Sequence, residues 1–204
     1  MDEETFEREL YVIRRRIEKA AAAAGVGALY IASLSCRSII YKGMMLAEQV
    51  ADFYPDLQDE RFESDFAIYH QRYSTNTFPQ WWLAQPFRML AHNGEINTLK
   101  GNVNWMKSHE IRMASNAFGD MAEDIKPIVA SGSSDSAALD SVFEVLVRAG
   151  RDAPMAKTML IPESWSQARI ELPKPWRDMY AYCNAVMEPW DGPAALAMTD
   201  GRWV

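Results

Sequence analysis

The distribution of apolar residues is the feature that most restricts what this chain can fold into. Apolar residues make up 49% of the 204 residues, yet no uninterrupted apolar run approaches the roughly 20 residues that a membrane-spanning helix needs. They recur instead in short segments with helical or alternating spacing, separated by turn-forming and charged residues. We therefore expect helices and strands packed around one sizeable core, in a single domain.

Charge and cysteine content exclude several classes of function. The net charge is -7, which disfavours nucleic acid or an anionic membrane surface as a partner. Cys36 and Cys183 are too few for a disulfide framework and indicate a reducing, cytosol-like compartment. The three histidines lack metal-ligand spacing, so we expect no metal site in this chain.

The first predicted helix spans residues 2–24. Acidic residues at its start suit the positive end of the helix dipole, and Gly25 can end it. We expect Arg14 to Arg16 on its solvated side. The apolar stripe expected to face the core consists of Phe6, Leu10, Ile13 and Ile17.

Further helices and several strands are predicted downstream. The helices span 44–53, 97–114, 136–149 and 174–188. Ser134 or Asp135 can cap the third of these, and Cys183 is expected to pack inside the last. The predicted strands are a pair within 27–42, one over 66–73, one over 89–92 and one over 194–199.

Two turn signals follow the predicted strands. Asn93-Gly94 after the strand at 89–92 is a common hairpin signal. Asp200-Gly201 predicts a returning strand after 194–199, but three residues remain before the chain ends. We expect the chain to be a piece of a longer protein.

Three polar clusters could carry chemistry. Arg72, in the cluster 70–77, has the guanidinium fork that matches a carboxylate. The side-chain amide of Asn93 and the N–H of Gly94 could form an oxyanion hole for acyl transfer. Asp135, in the cluster Ser131 to Ser136, could bind an ammonium group. Each cluster also has a plainer interpretation, namely a surface arginine, a hairpin turn and a helix cap, and spacing alone does not decide.

Taken together, the three clusters describe a pocket for an amino acid. Arg72 would bind the α-carboxylate, Asp135 the α-ammonium, and Asn93 with Gly94 the side-chain carbonyl. That combination suits the side-chain amide of glutamine.

The chain also resembles a known family along nearly its whole length. The segments that carry the resemblance are residues 10–14, 35–37, 41–43, 70–79, 83–88, 90–98, 101–106, 133–137 and 187–195. These motifs are specific and occur in the family's order, and the family that they resemble is the class II glutamine amidotransferase domain of glutamate synthase large subunits.

This resemblance implies a fold and an activity. The fold would be α+β, the N-terminal-nucleophile hydrolase fold with four layers α/β/β/α and antiparallel sheets, here incomplete at both ends. The chain 1–204 would be part of one such domain. Arg72 and Asp135 would bind substrate, and Asn93 and Gly94 would form the oxyanion hole. The family hydrolyses glutamine to glutamate and ammonia, and the ammonia reacts with 2-oxoglutarate in glutamate biosynthesis.

The same resemblance implies groups and partners outside this chain. FMN and an iron–sulfur cluster would lie in downstream domains. The partners would be glutamine, the other domains of the large subunit, and the small subunit as a further candidate. The expected location is the cytoplasm, or a plastid if the protein comes from a plant.

The chain departs from the family pattern at the nucleophile. The family uses a cysteine at the mature N-terminus, whose own α-amine can act as the base, whereas position 1 here is Met. We therefore expect the chain alone not to hydrolyse glutamine. Two alternatives stay open, a non-catalytic glutamine-binding or scaffold module and a hydrolase that depends on Cys36.

Overall fold

The computed structural model of the protein describes residues 1–27, 29–73, 78–113, 116–163 and 171–204. Its helices are α1 (Glu3–Ala23), α2 (Val50–Phe53), α3 (Lys100–Ile111), α4 (Asp135–Arg148), α5 (Ala153–Leu160) and α6 (Lys174–Val186), and its strands are β1 (Leu90–Gly94) and β2 (Ala194–Met198). Short 3-10 turns cover Ala47–Gln49, Pro55–Gln58, Trp81–Leu83 and Gly119–Glu123. Helices and an antiparallel strand pair together agree with the α+β class.

The two strands pair antiparallel, with Asn93 opposite Ala195 and Gly94 opposite Ala194. The hairpin turn predicted at Asn93-Gly94 is therefore wrong, because both residues lie inside the ladder. β2 takes its partner on this edge from far upstream in the chain, and the returning strand predicted after β2 stays a prediction. Strand pairing between distant segments leaves no local signal in the sequence.

The strands predicted within 27–42 and over 66–73 do not form among the described residues. Apart from residue 28, both segments are described, and neither belongs to a β-ladder there. Their strand-forming composition is real, but a strand also needs a paired neighbour to satisfy its backbone groups. The prediction of a hairpin within 27–42 is wrong for this reason.

Helix α4 forms where the sequence predicts it. The Ser134 hydroxyl accepts a hydrogen bond from the N–H of Ala137 at 3.2 Å, which caps the helix start. The predicted helices 97–114 and 174–188 are shorter in the structure, as α3 and α6. Residues 44–53 form a 3-10 turn followed by the four-residue α2, and α5 was not predicted.

The core packs around α4. Leu139, Val142 and Phe143 of this helix are at most 2% exposed, and Tyr11 and Val12 of α1 belong to the same buried cluster. Cys183 on α6 is buried as predicted. Trp176, on the same helix, is 56% exposed.

Helix α1 buries a different face from the one that its apolar residues predict. Phe6, Ile13 and Ile17 are each 43% exposed, whereas Arg14 is only 2% exposed. The predicted orientation of this helix is therefore wrong. The reason is the composition of the buried face, on which charged residues are matched by opposite charges on α4.

Two ion pairs join α1 to α4. Arg14 contacts Glu144 at 2.5 Å, and Glu7 contacts Arg148 at 2.7 Å. Burial by itself would raise the pKa of Glu144, but several nearby guanidinium groups, that of Arg14 foremost, together outweigh that effect and hold the pKa below its usual value. Isolated buried charges are strongly unfavourable, so these pairs fix how the two helices dock.

The structure also buries a lysine, Lys42. The Lys42 ammonium donates to the carbonyl of Trp82 at 2.9 Å and lies over the rings of Tyr30 and Phe87, at 4.6 and 4.9 Å from their centroids. Burial lowers the pKa of Lys42 to about 7, because the charged form loses its hydration.

We expect removal of one partner of the Arg14–Glu144 pair to destabilise the fold strongly. Arg14→Met leaves Glu144 buried without its closest cation and should lower the free energy of unfolding by about 3–5 kcal/mol. The double variant Arg14→Met/Glu144→Leu should lose less than the sum of the two single variants. Urea unfolding measures all three. As a control, Arg16→Met removes an exposed ion pair with Asp124 and should cost at most about 1 kcal/mol; an equally small loss for Arg14→Met would contradict the analysis.

Lys42 should make stability depend on pH. Its pKa is lower in the folded chain than the ordinary value of 10.5, so the unfolded chain binds more protons between these two values. Stability therefore rises with pH above about 7, by up to about 1.4 kcal/mol per pH unit. Urea unfolding at pH 7, 8 and 9 should show this rise in the parent relative to Lys42→Met. Exposed Lys174→Met serves as the control, and parallel curves for parent and Lys42→Met would exclude the effect.

Candidate active site

All four residues predicted to contact a substrate line one cavity. Arg72, Asn93, Gly94 and Asp135 surround a space of about 840 Å3, within the roughly 300–1,000 Å3 typical of small-molecule sites. Residues 74–77 of the first predicted cluster lie outside the described residues. The three clusters that the sequence places far apart therefore meet around the same space.

Each wall of the cavity comes from a different element. Arg72 lies on a segment without regular secondary structure, Asn93 and Gly94 end β1, and Asp135 begins α4. The start of β1 is tied to α4, since the Asp140 carboxylate accepts the N–H groups of Arg88 at 3.2 Å and Met89 at 2.8 Å. Burial, and secondarily the nearby Glu144 charge, raises the pKa of Asp140 to about 6.

The backbone of β1 alternates between two hydrogen-bonding edges. On one edge Met89 accepts from Thr199 and Glu95 donates to Pro193, which continues the ladder with β2. On the other edge, Leu90 accepts from Phe87 at 2.8 Å, and His92 contacts a side chain described below. By this alternation the N–H of Gly94 lies on the edge away from β2.

Gly94 ends β1 where two backbone segments approach closely. Its φ is 106°, and a Cβ atom there would overlap the carbonyl of Pro193. Only glycine combines this backbone angle with such an approach.

Asp135 is held by its neighbour on α4. One carboxylate oxygen, Oδ1, accepts the N–H of Ser136 at 2.7 Å and its hydroxyl at 3.1 Å. The same hydroxyl lies 3.2 Å from Nδ1 of His92, which is buried and has a lowered pKa because of that burial. Within the described part of the chain the second oxygen, Oδ2, receives no hydrogen bond, so it is available to a cation in the cavity.

Arg72 and Asn93 present uncommitted polar groups. Both side chains are exposed, and neither forms a hydrogen bond or ion pair with another described residue. A cation, an amide donor and a carboxylate therefore line one cavity with their binding groups unused by the protein. Such a set matches the charges and the amide carbonyl of a small zwitterion.

The chain after β1 is anchored to the segment before β2. The Asn102 side chain, which is fully buried, donates to the carbonyls of Glu188 at 2.7 Å and Pro189 at 3.1 Å. The N–H of Asn97 donates to the carbonyl of Asp191 at 2.7 Å. These bonds hold one side of the cavity in place.

The two cysteines lie outside this cavity. Cys36 is exposed and Cys183 is buried in α6, and neither lines the cavity. A hydrogen bond to Glu7 raises the pKa of Cys36, which disfavours the reactive thiolate. Among the described residues no group of three or more His, Cys, Asp or Glu could hold a metal ion.

Three residues of the site were not singled out from the sequence. They are Gln85, Ser136 and Asp140. Ser136 stands in a polar cluster that the sequence does mark, and Gln85 stands in a motif that carries the family resemblance. Asp140 gives no signal, because an acidic residue on a helix is usually at the surface.

Comparison with known proteins decides the family. The sequence model for class-II glutamine amidotransferases matches residues 1–204. The chain belongs to the class II glutamine amidotransferases. The resemblance noted from the sequence is thereby confirmed.

The similar proteins are glutamate synthases. The chain is 67% identical over 204 residues to the glutamate synthase [NADPH] large chain of Azospirillum brasilense and 49% identical over 203 residues to that of Bacillus subtilis (strain 168). It is 48% identical over 202 residues to the ferredoxin-dependent glutamate synthase 2, chloroplastic, of Arabidopsis thaliana. The first two matches cover 100% of this chain and the third 97%, but the chain spans only 12–13% of these relatives' length.

The helices of this amidotransferase chain show no membrane-spanning character. Within the described residues, none is both long enough and apolar enough to cross a bilayer.

Gly94→Ala should damage the end of β1. The added methyl group meets the Pro193 backbone, and alanine must adopt an unfavourable positive φ there. We therefore expect the free energy of unfolding to fall by about 1–3 kcal/mol or more. Gly25→Ala is the matched control, because φ there is also positive, at 75°, but a Cβ atom meets no atom within 4 Å. Thermal or urea unfolding compares the two, and equal losses would show that the close approach is unimportant.

Proposed function

We propose that this chain forms the glutamine-binding and oxyanion-stabilising part of the glutaminase site of a glutamate synthase. The observation that carries the proposal is that Arg72, Asp135, Asn93 and Gly94 line one cavity in a member of the class II amidotransferases. Arg72 binds the α-carboxylate of glutamine, and Asp135 binds its α-ammonium group through Oδ2. These two contacts direct the side-chain amide towards the end of β1.

The chemical step takes place at that amide. A thiolate attacks the amide carbon, and the carbonyl oxygen becomes an oxyanion in the tetrahedral intermediate. The Asn93 side-chain amide and the Gly94 N–H donate to this oxygen. Collapse of the intermediate breaks the C–N bond, the nitrogen takes up a proton and leaves as ammonia, and water hydrolyses the thioester to glutamate.

The nucleophile in this proposal comes from outside the 204 residues. Neither Cys36 nor Cys183 lines the cavity, and neither has a free α-amine. The chain alone is therefore inactive, and a cysteine at the mature N-terminus of the whole protein supplies the thiolate. The location of Cys36 also argues against a hydrolase that depends on it.

The other domains use the ammonia. We propose that they convert 2-oxoglutarate to glutamate and carry the FMN and the iron–sulfur cluster. Glutamine, these domains and the small subunit are the proposed partners. The proposed location is the cytoplasm, or a plastid in a plant.

The four-layer α/β/β/α arrangement is also part of this proposal, with residues 1–204 forming part of one domain. The segments 29–42 and 66–73 support it, because they are rich in strand-forming residues and lie outside any ladder among the described residues. Strands from the rest of the domain would pair with them and complete the antiparallel sheets.

Substitutions at Arg72 and Asn93 should affect different kinetic constants in the full-length protein. Arg72→Ala removes a charged contact to the bound substrate and should raise KM for glutamine about tenfold to hundredfold. Asn93→Ala removes an oxyanion donor and should lower kcat about 10²–10³-fold. Ammonia release with glutamine measures both.

Arg61→Ala is the control, since Arg61 is exposed and pairs only with Asp59. A full-length protein that binds glutamine in calorimetry but never releases ammonia would indicate the non-catalytic binding module instead. An unchanged kcat for Asn93→Ala would disprove the oxyanion role.

A further inference from the structure

The outer edge of β1 is occupied by a side chain instead of a strand. The Gln85 amide Nε2 donates to the carbonyl of His92 at 2.7 Å, and Oε1 accepts the N–H of His92 at 2.5 Å. Two residues that exchange both bonds in this way form the narrow pair of an antiparallel ladder. Gln85 thus replaces a missing neighbouring strand at a single residue of β1.

This contact is placed one residue before the proposed oxyanion donors. The carbonyl of His92 and the N–H of Asn93 belong to the same planar peptide group. Hydrogen bonds that fix the His92 carbonyl therefore also fix the orientation of the peptide plane that includes the Asn93 nitrogen. Gly94 directs its N–H to the same edge of β1 that Gln85 occupies, by the alternation described above.

Nearby residues hold Gln85 itself in place. Ala84 and Phe87 on either side of the Gln85-Pro86 pair are buried, at 6% and 3% exposure. The N–H of Phe87 donates to Leu90, which folds the segment back against β1. The amide is therefore presented by an anchored loop and lines the substrate cavity.

We infer that Gln85 is a positioning residue that orients the oxyanion donors Asn93 and Gly94 through the His92 peptide. The inference rests on the proposed glutaminase function. Gln85 does not need to touch substrate, because its two hydrogen bonds act on the backbone. Its loss should therefore slow the chemical step and leave glutamine binding nearly unchanged.

The test compares Gln85→Glu and Gln85→Leu with the parent in the full-length protein. The ionised carboxylate of the first variant keeps an acceptor for the His92 N–H but turns a second oxygen towards the His92 carbonyl. The leucine of the second removes both hydrogen bonds at similar size. We expect kcat for ammonia release to fall at least tenfold at pH 8 in both variants, with KM for glutamine within threefold of the parent.

The pH profile separates this role from a general loss of packing. Once protonated, the carboxyl group introduced by Gln85→Glu has the same donor and acceptor as the glutamine amide, so this variant should recover towards the parent as pH falls from 8 to 5.5. Gln85→Leu should show no such recovery. Each kcat is taken as a ratio to the parent at the same pH, and Gln85→Leu is the reference that adds no charge to the titratable and charged residues lining the cavity, which are His70, Arg72, His92, Glu95 and Asp135.

Gln58→Glu is the matched control, because the Gln58 amide also donates to a backbone carbonyl, that of Ala51, at 2.8 Å on an exposed turn. It should leave kcat unchanged. A kcat within twofold of the parent for both Gln85 variants, a loss confined to KM, or a pH-independent ratio for Gln85→Glu would overturn the inference. Absence of ammonia release from the parent would instead overturn the proposed function, so the two failures are distinguishable.

Discussion

The pairing of buried charges between α1 and α4 is the constraint on which the rest of this structure depends. Arg14 and Glu7 are buried against Glu144 and Arg148, which carry the opposite charges. An unpaired charge at either place would be far costlier than the pair. The docking of the two helices is thus selected by charge matching as well as by apolar area, and few alternative alignments satisfy both pairs.

Helix α4 carries that constraint to the cavity. One helical turn before Glu144, Asp140 binds the backbone that leads into β1, and the first residue of the same helix is Asp135. Arg88 adds a second link, because it contacts Glu18 of α1 at 2.7 Å. Helix α4 therefore positions both Asp135, proposed to bind the ammonium group, and β1, proposed to stabilise the oxyanion. A site that needs fixed geometry is well served by such a rigid element.

Sequence reasoning succeeded where the signal is local. Helix α4 was predicted with its cap because Ser134 and the apolar spacing of the helix are adjacent in the chain. The predicted buried face of α1 is wrong because Glu144 and Arg148, the α4 partners of Arg14 and Glu7, lie more than a hundred residues away in the chain. The strands failed for a related reason, since pairing depends on which distant segment lies alongside.

The candidate site shows the same division. The sequence supplied the chemistry of Arg72, Asn93 and Asp135, and the family resemblance supplied the expectation that they act together. Neither indicated that Gln85 binds the backbone of β1, because a side chain that takes the place of a neighbouring strand leaves no periodic pattern in the sequence. From the sequence alone, a glutamine beside a proline indicates only a loop, and its contact with β1 is visible only in the structure.

The orientation of α1 has a consequence for how this chain can vary. At most positions of a surface helix, hydropathy is a fair guide to which replacements are harmless. Along α1 the guide misleads: Phe6, Ile13 and Ile17 are each 43% exposed and lose less burial on replacement than their hydrophobicity suggests. An apparently mild exchange of the buried Arg14 for Lys loses the guanidinium fork that contacts both Glu18 and Glu144. Ranking variants of this helix by hydrophobicity alone would therefore put the tolerant and intolerant positions in the wrong order.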